Sequence, residues 1–126
     1  MRREDLGELG ETVAVQQLEA KGFQIRERNW RVLEGELDIV AEEGGTIVFI
    51  EVKTRRSRKF GLPEEAITRK KRARLIKAAL FYLEKNQLQD VSWRFDLIAI
   101  ECYPNGEVSR IEHLEDIIQA EPGEFI

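Results

Sequence analysis

Apolar residues change their spacing several times along this 126-residue chain, and each change marks an element. Glu11, Ala14, Val15 and Leu18 recur at i, i+3, i+4 and i+7, so a helix is predicted over residues 8–21, with a carboxylate at the head of its apolar face. Gly22, suited to a left-handed cap, stops it. Residues 23–30 alternate loosely as a strand. A second strand over 36–42 turns Leu37, Ile39 and Ala41 one way and Glu36, Asp38 and Val40 the other. Gly44-Gly45 makes a turn, and residues 46–53 form a third strand. Val48, Ile50 and Val52 line one of its faces, and Ile47, Phe49, Glu51 and Lys53 the other.

A basic loop over 55–63 follows, then a long helix over 65–86. Its expected core positions are Ala73, Ile76, Ala79, Leu80 and Leu83, with Lys70, Arg74 and Lys77 on another face. A fourth strand (93–101), a Pro104-Asn105-Gly106 turn, a fifth strand (108–113) and a short helical turn (114–118) complete the chain before a frayed tail. The order α-β-β-β-α-β-β predicts an α/β (mixed α+β) fold. The first three strands form an antiparallel meander, and the helix before strand four imposes a parallel crossover in a mixed sheet flanked by helices. The length fits one domain over 1–126, with its core over about 7–113. Repeats and low-complexity linkers are absent, and no apolar run nears the roughly 18 residues of a membrane span. The start lacks the apolar stretch of a secretory signal, and the single cysteine, Cys102, cannot pair within the chain, so a cytoplasmic protein is expected.

Charge changes the picture. The whole chain carries −4, which argues against a nucleic-acid partner. Residues 53–77, however, hold eleven basic residues against two acidic ones, a net of +9, leaving −13 for the rest. Fields decay over about 8–10 Å, so a segregated basic segment acts locally whatever the total.

Charged side chains inside apolar strands are costly unless paired or bound to metal. Glu51 and Lys53 share a face of the third strand, and Asp38 lies within the second. Asp38 and Glu51 are equidistant from the Gly44-Gly45 turn, so antiparallel pairing brings them together. Two carboxylates so placed can hold a hard cation such as Mg²⁺ or Mn²⁺, which keeps several waters and takes further ligands from phosphate. Such an ion activates water and stabilises charge on a scissile phosphate. Lys53 is placed to position or deprotonate that water. Glu11 adds a third carboxylate if its helix packs on this sheet, and Glu36 is the next candidate. A plain structural account makes Glu51–Lys53 an edge-strand ion pair and Asp38 a solvated residue.

The blocks Gly10-Glu11, Asn29-Trp30-Arg31, Gly35-Glu36-Leu37-Asp38, Phe49-Ile50-Glu51-Val52-Lys53-Thr54-Arg55, Phe60-Gly61-x-Pro63 and Arg94-Phe95-Asp96 resemble those of the uncharacterised bacterial YraN family, over roughly residues 7–101. The resemblance implies a restriction-endonuclease-like (PD-(D/E)xK) fold, distantly similar to archaeal Holliday junction resolvases. By position it implies Glu11, Asp38 and Glu51 as metal ligands and Asp38, Glu51 and Lys53 as catalytic residues. It further implies branched or structured DNA as substrate and a homodimer that places two sites on two strands. A noncatalytic nucleic-acid-binding module, or an accessory protein docking on a repair or recombination assembly, are the alternatives.

Arg55, Lys71 and Arg74, with Arg31 as a weaker candidate, are expected to contact the DNA phosphate backbone. Trp30 and Trp93 read as packing residues, Arg94 and Asp96 as a structural ion pair, His113 as a surface residue and Cys102 as a small buried hydrophobe.

Overall fold

The computed structural model describes residues 3–59 and 61–118. Helix α1 (Arg3–Ala20) precedes the meander β1 (Gln24–Val32), β2 (Gly35–Glu43) and β3 (Thr46–Arg55). A 3₁₀ turn (Pro63–Ala66) leads into α2 (Arg69–Lys85), followed by β4 (Trp93–Cys102) and β5 (Val108–Leu114). The strands form one sheet in sequence order, in which β3 and β4 pair in parallel and the other neighbours antiparallel. The predicted element order and mixed sheet are therefore borne out.

A helix covers each face of the sheet. Ala14 and Leu18 of α1 pack on Ile39, Ala41, Val48, Ile50 and Ile98, whereas Leu75, Ile76, Ala79, Tyr82 and Leu83 of α2 pack on Val40, Ile47, Phe49 and Phe95. Strand β3 alternates between the two cores because it is central, with apolar residues needed on both sides. Gly22, at φ 94°, closes α1: its N–H donates to the Glu19 carbonyl and that of Phe23 to Leu18. The glycines of the β2–β3 turn also have positive φ, as a tight hairpin requires.

Several expectations fail for identifiable reasons. Helix α2 starts at Arg69 rather than residue 65, because Thr68 caps it by accepting from the Lys71 N–H at 3.1 Å while Pro63 starts a separate 3₁₀ turn. Ala73 and Leu80 are exposed, and the buried positions are instead Leu75, Ile76, Ala78, Ala79, Tyr82 and Leu83. Leu37 packs on the α2 side with Val40 rather than with Ile39 and Ala41. The β2–β3 ladder ends at the Ile39–Ile50 pair, and alternation is interrupted at Asp38. Residues 115–118 form no helical turn, since Asp116 has φ 53° and the Ile117 N–H donates to the Phe95 carbonyl. The expected frayed tail, 119–126, lies outside the described residues, as does Phe60.

Candidate active site

Where β2 and β3 part, the Asp38 carboxylate turns into the gap and accepts the Val52 N–H at 2.9 Å. One strand position beyond the ladder, Glu51 is only 4% exposed. Its Oε1 lies 2.6 Å from the Lys71 Nζ and 3.2 Å from the Lys53 Nζ. Two ammonium groups thus offset a buried carboxylate whose desolvation alone would cost several kcal/mol. Because β3 is a central strand, Glu51–Lys53 is not an edge-strand surface pair.

Glu11 joins these groups from α1, which approaches β3 closely at Gly10. A Cβ on Gly10 would collide with the Thr54 hydroxyl, so glycine sets the approach. Asn29 completes the arrangement from β1, in left-handed backbone at φ 52°. With its amide nitrogen turned toward the carboxylates, it donates to Glu11 Oε1 at 2.8 Å and Glu36 Oε1 at 3.2 Å. Glu11, Glu36, Asp38, Glu51, Lys53, Arg55 and Lys71 all line one open cleft of about 360 Å³.

The crowding is visible in proton affinities. Burial and the neighbouring Glu51 push the Asp38 carboxyl up to about 7, against the opposing Val52 N–H and Lys53. Burial raises Glu11 as well, with Glu36 and Glu51 adding to it and Arg28 and Asn29 opposing. For Lys53, burial and the adjacent Lys71 lower the ammonium's affinity for its proton despite Glu51. Burial also works against charge on Lys71, but its bonds to Glu51 and Lys53 and the Asp38 charge outweigh that and raise its pKa. Of the two amines, Lys53 gives up a proton more readily.

Among the described residues, no three His, Cys, Asp or Glu side chains form a ready-made metal cage. Mg²⁺ does not require one, since one or two carboxylates with waters and substrate phosphate suffice. Asp38 and Glu51, with Glu11 in the same cleft, are the hard oxygen donors that would hold such an ion, and Glu51 is among the causes that raise the Asp38 carboxyl.

The candidate phosphate contacts divide. Arg55 lines the cleft and donates to the Thr54 carbonyl at 3.2 Å. Arg74 is exposed and lines an adjoining cavity of about 320 Å³ that also reaches Asp38 and Glu51. Arg31 is exposed, 3.4 Å from Glu36. Lys71 turns inward to Glu51, so it belongs with the acidic cluster. Part of the basic segment is neutralised outside the cleft, where Arg58 forms a two-pronged pair with Glu101 at 2.8 and 3.0 Å. The sequence singled out neither Asn29 as a site residue nor Lys71 as a partner of Glu51. An asparagine inside a strand, poor in β-propensity and tolerant of left-handed backbone, was the available signal for the first.

Outside the cleft, Trp30 packs edge-on against Tyr82, Trp93 against Phe49 and Phe95, and Cys102 is buried. Asp96 is fully buried and held by Arg94 at 2.9 Å and His113 Nε2 at 2.8 Å. The His113 side chain is only 2% exposed, so it is an interior residue and not the expected surface one.

Fold and cleft together define an α/β protein whose carboxylates and amines gather where two antiparallel strands separate. The chain belongs to the family described as Uncharacterised protein family UPF0102, which matches residues 10–100 and so spans every group in the cleft from Glu11 to Lys71. It is 48% identical over 111 residues to a UPF0102 protein of Geotalea daltonii, covering 88% of this chain and 87% of that one. A UPF0102 protein of Beutenbergia cavernae is 46% identical over 118 residues, covering 93% and 99%. Another, from Dictyoglomus turgidum, is 41% identical over 114 residues, covering 90% and 97%. No helix among the described residues is long and apolar enough to cross a membrane.

Proposed function

We propose that this protein is a Mg²⁺- or Mn²⁺-dependent endonuclease that hydrolyses phosphodiester bonds in DNA. The observation that carries this reading is the placement of Asp38, Glu51 and Lys53 at the parting of β2 and β3, with Glu11 brought in by α1. Asp38 and Glu51 would hold the cation, with Glu11 beside them. When bound, the ion supplies an activated water and charge stabilisation at the phosphate. Lys53, with its lowered proton affinity, orients the attacking water and accepts its proton. Lys71, paired with Glu51, would offset negative charge on the phosphate. Arg55 and Arg74 hold the backbone on either side.

The resemblance to junction resolvases supports branched or structured DNA as substrate and a homodimer as the working unit, in the cytoplasm where DNA is met. A noncatalytic DNA-binding module is the second reading. It is favoured by one feature, that Lys53 and Lys71 already satisfy Glu51 without a metal. Isothermal titration with Mn²⁺ separates the two. The enzyme binds the ion at up to millimolar concentration, and Glu51→Ala loses it; a wild-type chain with no binding in that range supports the second reading.

A further inference from the structure

The β1–β2 hairpin turns through only two residues, since Val32 pairs with Gly35 and leaves Leu33-Glu34 at the tip. Turn tips ordinarily carry small polar residues. Here Leu33 is 99% exposed, far beyond the next large apolar side chain among the described residues, Tyr103 at 55%. It adds nothing to either core, so folding does not explain a leucine at this point.

Its surroundings connect it to the cleft. Leu33 lines a cavity of about 590 Å³ together with Arg31, Arg74 and Lys77. That cavity shares Gly35, Glu36 and Arg74 with the neighbouring one, which ends at Asp38 and Glu51. A groove therefore runs from the carboxylates along the exposed start of α2 to the hairpin tip. Cations stand along it, and an unsupported leucine stands at its end. Glu34 and Glu36 also line it, and Glu36 is offset by Arg31 at 3.4 Å.

We infer that the β1–β2 hairpin is a stacking probe, in which Leu33 inserts at an interrupted base step while Arg74, Lys77 and Arg31 hold the flanking phosphates. A continuous duplex offers Leu33 only stacked bases, whose separation is costly. A branch point, flap or nick exposes base faces at no such cost. The hairpin thus selects DNA with broken stacking. This deepens the endonuclease reading and rests on its assignment of DNA to the cleft.

The test is equilibrium binding in chelator, so that nothing is cut, to a four-way junction, a flap and a plain duplex of equal length. Each carries 2-aminopurine beside the branch or at the matching duplex position. Wild-type protein is expected to prefer the branched DNAs by about tenfold or more and to raise their 2-aminopurine fluorescence. Leu33→Ser should bring the preference within about twofold and abolish the rise, leaving duplex affinity unchanged within about twofold, while Leu33→Phe retains both. Since Leu33 is solvent-exposed, the variants fold. Preference and fluorescence that survive Leu33→Ser overturn the inference, as does wild-type protein that binds all DNAs equally. Equal binding leaves DNA in the cleft, whereas no binding to any DNA at low salt removes both readings.

Discussion

Asp38 sits beside Glu51 and near Glu11 in a half-buried cleft, where burial and like charge both oppose its ionisation. Its carboxyl is raised from the ordinary carboxylate range to about 7, so the folded chain binds a proton that the unfolded chain has released. That contribution to stability is full below about pH 4 and is lost as pH rises through about 7. In metal-free buffer Asp38→Asn should therefore stabilise the protein at pH 8, on the order of 2 kcal/mol. The gain should fade toward pH 4, and thermal melts across that range check it. If the amine serves proton transfer and not the phosphate grip, as proposed, Lys53→Ala should slow cleavage by about a hundredfold or more while leaving DNA affinity nearly unchanged. Paired binding and single-turnover assays on that variant test the division. The alternation expected for Asp38 in β2 breaks at that residue, whereas Glu51 and Lys53 were legible as one face of β3 because alternation is a local property. Asn29, Lys71 and His113 were not: each takes its role from a partner distant in the chain, through a left-handed kink, a helix approach and a buried aspartate on another strand.

At the scale of elements, α1 and α2 each bring one group to β3, Glu11 and Lys71, and Gly10 sets how closely α1 approaches. Gly10→Ala should push α1 off Thr54 and displace Glu11. The expected result is a loss of about 1–3 kcal/mol in denaturant melts, with cation binding weakened. Helix α2 separates the sequence reading from the fold cleanly. Ile76 and Leu80 both belong to the predicted apolar stripe, yet Ile76 is 6% exposed and Leu80 is 42% exposed. Ile76→Ala should cost about 2–5 kcal/mol and Leu80→Ala less than about 0.5 kcal/mol, measured by urea unfolding. The stripe was misjudged because the face turned to the sheet centres on Leu75, Ala78 and Tyr82 together with Ile76, Ala79 and Leu83, which leaves Ala73 and Leu80 on the flank. The strands fared better. The apolar alternation expected in β3 is found, with Val48, Ile50 and Val52 in one core and Ile47 and Phe49 in the other, since a helix covers each face there.

The whole molecule carries a negative charge but concentrates basic residues in one segment, 53–77, and that segregation is the basis for expecting nucleic acid at all. The structure refines it, because Arg58 is tied to Glu101 and Lys71 to Glu51, which leaves Arg55, Lys70, Arg74 and Lys77 along the cleft and its continuation. Affinity for duplex DNA should then fall with salt at a log–log slope of about −3 to −4, and Arg74→Glu should reduce that slope by about 1 or more. Fluorescence anisotropy at graded salt provides the check. The most direct measurement of the central claim is cleavage by pure protein, with and without Mn²⁺, of four-way junctions, flaps, single strands and plain duplex, with Glu51→Ala purified in parallel. Strand scission that appears with Mn²⁺, vanishes in chelator and is absent from Glu51→Ala is the result this account predicts. No scission of any substrate by wild-type protein, or equal scission by Glu51→Ala, contradicts it.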